Sequence, residues 1–200
     1  MNGIYAVLDE NNFDFNYLDK YVEIMINNKI EIFQIRIKSS FSNFNIDTIK
    51  KIRDICKYNK CKLIINDNIN ISKELNLDGV HLGKNDCDIV SARHILGEKK
   101  IIGISCYDNI ELALYAEKNK ASYVSFGSLY KTTTKKNPVA LNENIFFKAK
   151  RSLNIPTCLI GGININNIHD AMKLNSDLIA ISKGLSSYDL IKKISNAYYE

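Results

Sequence analysis

Short apolar runs alternate with helical patterns from one end of the chain to the other. Ile4–Leu8 is the first run and closes on Asp9; Leu18, Tyr21, Val22 and Met25 then recur at helical spacing. Ile30–Ile37 is the second run, followed by Ile46, Ile49, Ile52 and Cys56 on one helical face, with Asn45 as its N-cap. Leu63–Ile65 is the third, with a short helix around Ser72–Leu75 after it, and Gly79–Leu82 the fourth, with Asp88 capping the next helix. Ile101–Ser105 is the fifth, and Asn109 caps a helix bearing Ile110, Ala113 and Leu114. Tyr123–Leu129 is the sixth, with a helix near Asn142–Lys150. Pro156–Ile160 is the seventh; Asn164 then caps a helix with Ile165, Ile168 and Met172 on it. Leu178–Ile181 is the eighth, and a last helix covers Tyr188–Tyr198.

Eight strand–helix units in 200 residues specify a single-domain α/β fold, a (β/α)8 TIM barrel over residues 1–200. A doubly wound open sheet is the competing arrangement. It normally carries G-x-G-x-x-G after the first strand, and nothing of that form occurs there.

Composition narrows the class further. At 46% hydrophobic content the chain has ample core, and no stretch approaches the roughly 18 apolar residues that span a bilayer. The N-terminus enters a strand directly, without the basic-then-apolar pattern of a signal peptide. Five cysteines, odd in number and scattered, contain no C-x-x-C, which predicts a reduced, cytoplasmic protein without a zinc ribbon or disulfide framework. The net charge of +5 is spread through the chain instead of forming a stripe, so it argues for no nucleic-acid footprint and fits an anionic small substrate. Neither nucleic acid nor membrane is expected as a partner, and homo-oligomerisation stays open.

In a barrel the chemistry sits at the carboxyl ends of the strands. Leu63-Ile64-Ile65-Asn66-Asp67 shows the pattern most sharply, three apolar residues stopping at an amide and a carboxylate. Taken alone, Asn-Asp is an ordinary turn pair, but most other strands end in the same way. Gln34, Arg36 and Lys38 alternate with apolar residues, so period two points all three into the barrel mouth. A planar fork beside a point charge suits a diphosphate. Asp67 and Asp86, on neighbouring strands, suit Mg²⁺, which takes one or two carboxylates and completes its shell with water and phosphate. Asp86 also reads as an ordinary loop acid. Ser105 ends the fifth strand, and Thr132, Thr134, Lys135 and Lys136 form a hydroxyl- and lysine-bearing loop after the sixth. Gly161-Gly162 and the turn Ser182-Lys183 offer backbone amides of the kind that bind phosphate. His81 reads as a packed or hydrogen-bonded strand residue, and His94 and His169 have no evident role.

These residues resemble the thiamine phosphate synthase family. The resemblance rests on Gln34-x-Arg36-x-Lys38, Ile65-Asn66-Asp67, Gly79-Val80-His81-Leu82-Gly83-x-x-Asp86, Gly103-x-Ser105, Gly127-x-x-Tyr130-x-Thr132-x-Thr134-Lys135 and Ile160-Gly161-Gly162-Ile163, in family order. It implies a transferase of thiamine biosynthesis. The pyrimidine of 4-amino-2-methyl-5-(diphosphooxymethyl)pyrimidine is joined to the nitrogen of the phosphorylated thiazole, with release of pyrophosphate through a pyrimidine-methylene carbocation. By the same resemblance Arg36, Lys38, Asn66 and Lys135 hold the diphosphate, Asp67 and Asp86 hold Mg²⁺, and Gln34 reads the pyrimidine. Ser105 lies near the reacting methylene and diphosphate; Thr132, Thr134, Gly162, Ser182 and Lys183 hold the thiazole phosphate. The sequence departs from the family pattern at Asn68, where Arg is usual, at Ser128 and Lys131, where Pro is common, and at Ser182-Lys183. A sister branch that isomerises the thiazole phosphate typically lacks parts of the set Asn66, Asp67, Asp86, Thr134 and Lys135, all present here. A non-catalytic barrel that binds thiamine phosphate would need neither acid.

Overall fold

Strands β1 (Gly3–Asp9), β2 (Ile32–Arg36), β3 (Lys62–Asn66), β4 (Gly79–Leu82), β5 (Ile101–Tyr107), β6 (Tyr123–Phe126), β7 (Thr157–Ile160) and β8 (Leu178–Ile181) lie side by side in chain order. All pairings are parallel, and β1 closes the barrel on β8 through Gly3↔Leu178 to Ala6↔Ile181. The computed structural model describes residues 1–83, 86–132 and 140–200, less the side chain of Asn43. Helices α1 (Leu18–Asn27), α2 (Asn43–Tyr58), α3 (Ile69–Glu74), α4 (Ile89–Leu96), α5 (Ile110–Lys118), α6 (Glu143–Ser152), α7 (Ile168–Lys173) and α8 (Tyr188–Tyr199) alternate with the strands, with short 3₁₀ turns at Phe15–Tyr17 and Lys183–Leu185. This is the (β/α)8 barrel that the periodicity predicts. Among the described residues, no helix is long and apolar enough to cross a membrane.

Period two sorts each strand between two cores. On β2, Phe33 and Ile35 are fully buried in the shell under the helices, together with residues such as Leu18, Ile49 and Phe146. Full burial of each such side chain stabilises the fold by about 2 kcal/mol. Ile32 faces the opposite way and packs inside the barrel with Tyr5, Val7, Ile64, Tyr123, Cys158, Leu178 and Ala180. Gln34 and Arg36 continue that inward face toward the mouth. The apolar plug therefore fills the amino-terminal part of the barrel and gives way to polar side chains at the carboxyl end.

Local hydrogen bonds start most of the helices. The Asp88 carboxylate accepts from the amides of Val90 and Ser91, at 2.9 and 3.1 Å, and Asn109 accepts from Leu112 at 2.9 Å, both at the expected caps. Two caps lie elsewhere. Helix α2 begins earlier, with Ser42 as N-cap accepting from the Asn45 amide at 3.3 Å, so Asn45 is the residue capped. Asn164 does not cap α7, whose N-cap position is Asn167. Its side chain is engaged in the preceding turn, accepting from Asn166 and donating to the Gly162 carbonyl at 3.0 Å. The sixth strand is also shorter than expected. The chain leaves the barrel after Phe126, where the Gly127 amide turns to the Tyr107 carbonyl at 2.9 Å and Leu129 to that of Ile160 at 2.9 Å.

Candidate active site

A cavity of about 940 Å³ opens at the carboxyl end of the barrel. Every predicted site residue that the structure describes borders it: Gln34, Arg36, Lys38, Asn66, Asp67, Asp86, Ser105, Thr132, Gly162, Ser182 and Lys183. Thr134, Lys135 and Lys136 lie outside the described residues.

The cationic side is built from β1 and β2. Arg36 forms an ion pair with Asp9, the two being register partners on adjacent strands. Asp9 is fully buried, and its other oxygen accepts from the backbone and side chain of Asn11, at 2.9 and 3.0 Å. Lys38, just beyond β2, pairs with Asp67. The stretch that carries Lys38 is tied down by Glu10, whose carboxylate accepts from the Lys38 amide at 2.5 Å and from the amide and hydroxyl of Ser39 at 2.8 and 2.5 Å. Burial pushes the Glu10 carboxyl up, but these bonds outweigh it and hold it below its ordinary range. Neither Asp9 nor Glu10 stands out in the sequence, because both act through a neighbouring strand.

The acidic side is built from β3 and β4. Asp67 has a left-handed backbone, φ +63°, which bends the chain away from the barrel directly after Asn66. Its amide donates to the His81 carbonyl at 2.8 Å. Asp67 and Asp86 border the cavity together, close enough for each carboxyl to shift the other, and Asp86 accepts from the Gly83 amide at 2.7 Å. Burial and the second carboxyl push Asp67 up, against the pull of Lys38. Burial also acts to raise Asp86, but the bonds from Asp67 and the Gly83 amide pull it down instead. Two neighbouring carboxyls that raise the cost of each other's negative charge form a donor set suited to a hard cation, which takes one or two carboxylates. Among the described residues no group of three or more His, Cys, Asp and Glu is placed to hold a metal ion. Asn68, a departure from the family pattern, caps α3 by accepting from the Ile71 amide at 2.9 Å.

Opposite the carboxylates, β7 ends in Gly161 and Gly162, both at positive φ. A Cβ at Gly162 would stand 2.5 Å from the Lys131 carbonyl oxygen, so only glycine lets the loop after β6 close over this turn. The side chains of Asn164 and Asn167 both donate to the Gly162 carbonyl at 3.0 Å, which fixes the peptide. Ser182 accepts from the Asn12 side chain at 3.0 Å, and Lys183 opens the 3₁₀ turn that follows β8.

The floor of the cavity holds a feature that sequence reasoning passed over. Gln34, Tyr5, Tyr123, His81 and Ser105 are linked in that order by hydrogen bonds of 2.5, 2.9, 2.8 and 2.9 Å. Both tyrosines sit in strands and count as apolar in a hydropathy pattern, which hides their hydroxyls. His81 is the hydrogen-bonded strand residue that the sequence suggests.

The family profile described as Thiamine monophosphate synthase matches residues 4–185. Among curated proteins, Thiamine-phosphate synthase of Nitrosomonas eutropha is 34% identical over 190 residues, covering 94% of this chain and 88% of that protein. Thiamine-phosphate synthase of Clostridium acetobutylicum is 34% identical over 197 residues, covering 98% and 93%. Among solved structures, thiamine phosphate pyrophosphorylase from Pyrococcus furiosus superposes with a TM-score of 0.82 at 25% identity, covering 98% of this chain and 96% of that one. With a match that runs through all eight strands, the chain belongs to the thiamine monophosphate synthase family.

Proposed function

We propose that this chain couples 4-amino-2-methyl-5-(diphosphooxymethyl)pyrimidine to thiazole phosphate, releasing pyrophosphate and forming thiamine phosphate. The observation that carries the reading is the meeting at one cavity mouth of Arg36, held by Asp9, with Lys38, paired to Asp67 beside Asp86, across from the Gly161-Gly162 turn. One side suits a diphosphate with its cation, the other a phosphate monoester. Family membership supports the same reaction.

Carbon–oxygen bond cleavage puts negative charge on the departing diphosphate. Arg36, Lys38, Asn66 and Lys135 receive that charge, and fixed donors aimed at developing charge lower the barrier without reorganising. Asp67 and Asp86 would hold Mg²⁺, which neutralises diphosphate charge when bound. Gln34 reads the pyrimidine, and Ser105 lies by the methylene and the diphosphate. Thr132, Thr134, Gly162, Ser182 and Lys183 seat the thiazole phosphate so that its ring nitrogen meets the cationic methylene carbon. The buried inner wall below keeps water from that carbon. No protein nucleophile is required. The enzyme works as one barrel over residues 1–200, in the cytoplasm.

The test is incubation of the purified protein with both substrates and Mg²⁺, following thiamine phosphate and pyrophosphate, with Asp67→Ala as control. Both products are expected, and their loss in the control. Folded protein that yields neither product rejects the proposal; a thiazole tautomer assay then separates an isomerase from a barrel that only binds.

A further inference from the structure

Gln34, Tyr5, His81 and Ser105 on the cavity floor, with Tyr123 buried beneath them, form a chain whose direction follows from the Gln34 amide nitrogen facing Tyr5. Gln34 donates its amide N–H to the Tyr5 oxygen at 2.5 Å. The Tyr5 hydroxyl has two partners among the described residues, Gln34 and Tyr123. If Tyr123 donated to Tyr5, the Tyr5 oxygen would accept twice and its own proton would be left without an acceptor in the apolar barrel, at a cost of about 1–3 kcal/mol. The satisfied arrangement has Tyr5 donating to Tyr123 at 2.9 Å, and Tyr123 donating to Nδ1 of His81 at 2.8 Å. Nδ1 is then an acceptor, and Nε2 carries the proton and donates to the Ser105 hydroxyl at 2.9 Å. Ser105 Oγ has its acceptor role filled and its hydrogen free to donate toward the cavity that it borders.

The site is built for this chain. Each member is at most 8% exposed. Burial raises both phenols, so each keeps the proton that the chain passes on. Gly103 is the register partner of both His81 and Tyr123, and a Cβ there would lie 2.3 Å from the Tyr123 hydroxyl oxygen. The phenol fills the space that a side chain at 103 would take. Two residues further on, period two returns Ser105 to the same inner face. The spacing Gly103-x-Ser105 thus seats the middle of the chain and supplies its end.

We propose that Tyr5, Tyr123 and His81 are positioning residues, a one-way hydrogen-bond chain that holds His81 as the Nε2–H tautomer and presents the Ser105 hydroxyl as a donor, and the Gln34 carbonyl as an acceptor, to bound substrate. At the Gln34 end, the amide N–H is committed to Tyr5, which leaves the carbonyl oxygen for an amino group on the pyrimidine. At the Ser105 end, the free hydrogen meets the oxygen that leaves with the diphosphate. The substrate half of this proposal rests on the coupling reaction proposed above; the tautomer does not.

The experiment is long-range ¹H–¹⁵N correlation on full-length protein labelled with ¹⁵N-histidine, in which His94 and His169 serve as internal controls. His81 is expected to show an unprotonated Nδ1 and a protonated Nε2. Tyr123→Phe is expected to mix the His81 tautomers, leave the other two histidines unchanged, and lower kcat by about tenfold, the rate equivalent of one hydrogen bond. Tyr5→Phe, which cuts the chain on the other side of Tyr123, is expected to keep the tautomer and instead raise KM for the pyrimidine diphosphate several-fold. A merely structural role would not split the two variants in this way. A proton on Nδ1, or on both ring nitrogens, in the wild type overturns the chain even if neither variant folds. So does a folded Tyr123→Phe protein with unchanged tautomer and kcat. If the wild type makes no thiamine phosphate, the functional reading fails whatever the tautomer; if it is active with the wrong tautomer, the chain fails alone.

Discussion

The carboxylate of Asp9, shut off from solvent, lies against the guanidinium of Arg36, its register partner on the next strand. The buried acid holds the arginine at the cavity wall and keeps its charge compensated before any anion arrives. Removing one partner of a buried pair leaves the other uncompensated, which typically costs about 3–5 kcal/mol. Asp9→Asn is therefore expected to lose about 3 kcal/mol of stability, toward the lower end because Arg36 keeps some exposure. Inorganic pyrophosphate should then raise the variant's Tm by more than it raises the wild type's, because the anion supplies the charge that Asp9 no longer does. Equal shifts in a melting titration would show that Arg36 does not meet the diphosphate.

Glu10 acts one layer further out. Its carboxylate accepts three hydrogen bonds from Lys38 and Ser39, and so sets where the Lys38 ammonium group can reach. Glu10→Ala should leave the fold intact, because the residue is partly exposed and outside both cores. It should raise KM for the pyrimidine diphosphate by about five- to tenfold, the worth of roughly one net hydrogen bond, with KM for thiazole phosphate unchanged. Steady-state kinetics with each substrate varied in turn decides this. A rise in both constants would mean that Glu10 supports the whole mouth instead of the Lys38 segment.

The barrel was legible because its two cores impose two periods. On β2, alternation alone separates Phe33 and Ile35, under the helices, from Gln34 and Arg36, which face inward. The end of β3 was legible for the same reason, since Asn66 follows the last buried apolar residue, whereas β5 runs two residues past its expected end at Ser105, through buried Cys106 to Tyr107. What escaped is whatever depends on a second strand. Asp9 gains its meaning from Arg36, 27 positions away, and Tyr5 from Tyr123, 118 positions away, and a one-dimensional pattern carries neither register. Helix starts failed where several capping residues compete: Ser42 displaced Asn45, and Asn164 was already engaged by the turn at Gly162.

At the amino-terminal end of the barrel, Asp177 accepts from the amide and hydroxyl of Thr157, both at 2.8 Å, with Lys150 at 4.0 Å. Burial alone would raise the Asp177 carboxyl, but the Thr157 bonds and Lys150 outweigh it and hold it below the ordinary range. A depressed pKa contributes stability that is complete above the unfolded value and fades as pH falls through the folded one. Asp177→Ala should cost about 1–2 kcal/mol near pH 7, discounted because the carboxylate is partly exposed. The gap to wild type should shrink below about pH 4. Denaturant melts across that range test the sign, and a gap that widened on acidification would contradict it. Catalysis should not change, since this end of a barrel contributes stability and not chemistry.

Gly162 bears on the other half of the reaction. An alanine there would meet both the cost of φ +66° and a Cβ 2.5 Å from the Lys131 carbonyl oxygen and 2.8 Å from Tyr130 Cβ. The left-handed backbone alone costs about 1–2 kcal/mol, and the contact can be relieved only by moving the loop after β6 away from the turn. That loop carries Thr132, so the displacement falls on the side assigned to the thiazole phosphate. Gly162→Ala is accordingly expected to raise KM for thiazole phosphate by about tenfold, in proportion to that strain, while KM for the pyrimidine diphosphate stays within twofold. The two constants moving together would place both phosphate groups on one side of the cavity and break the division between Arg36 and Gly162 on which the proposed geometry depends. A change confined to the thiazole phosphate would establish that division with a single added methyl group.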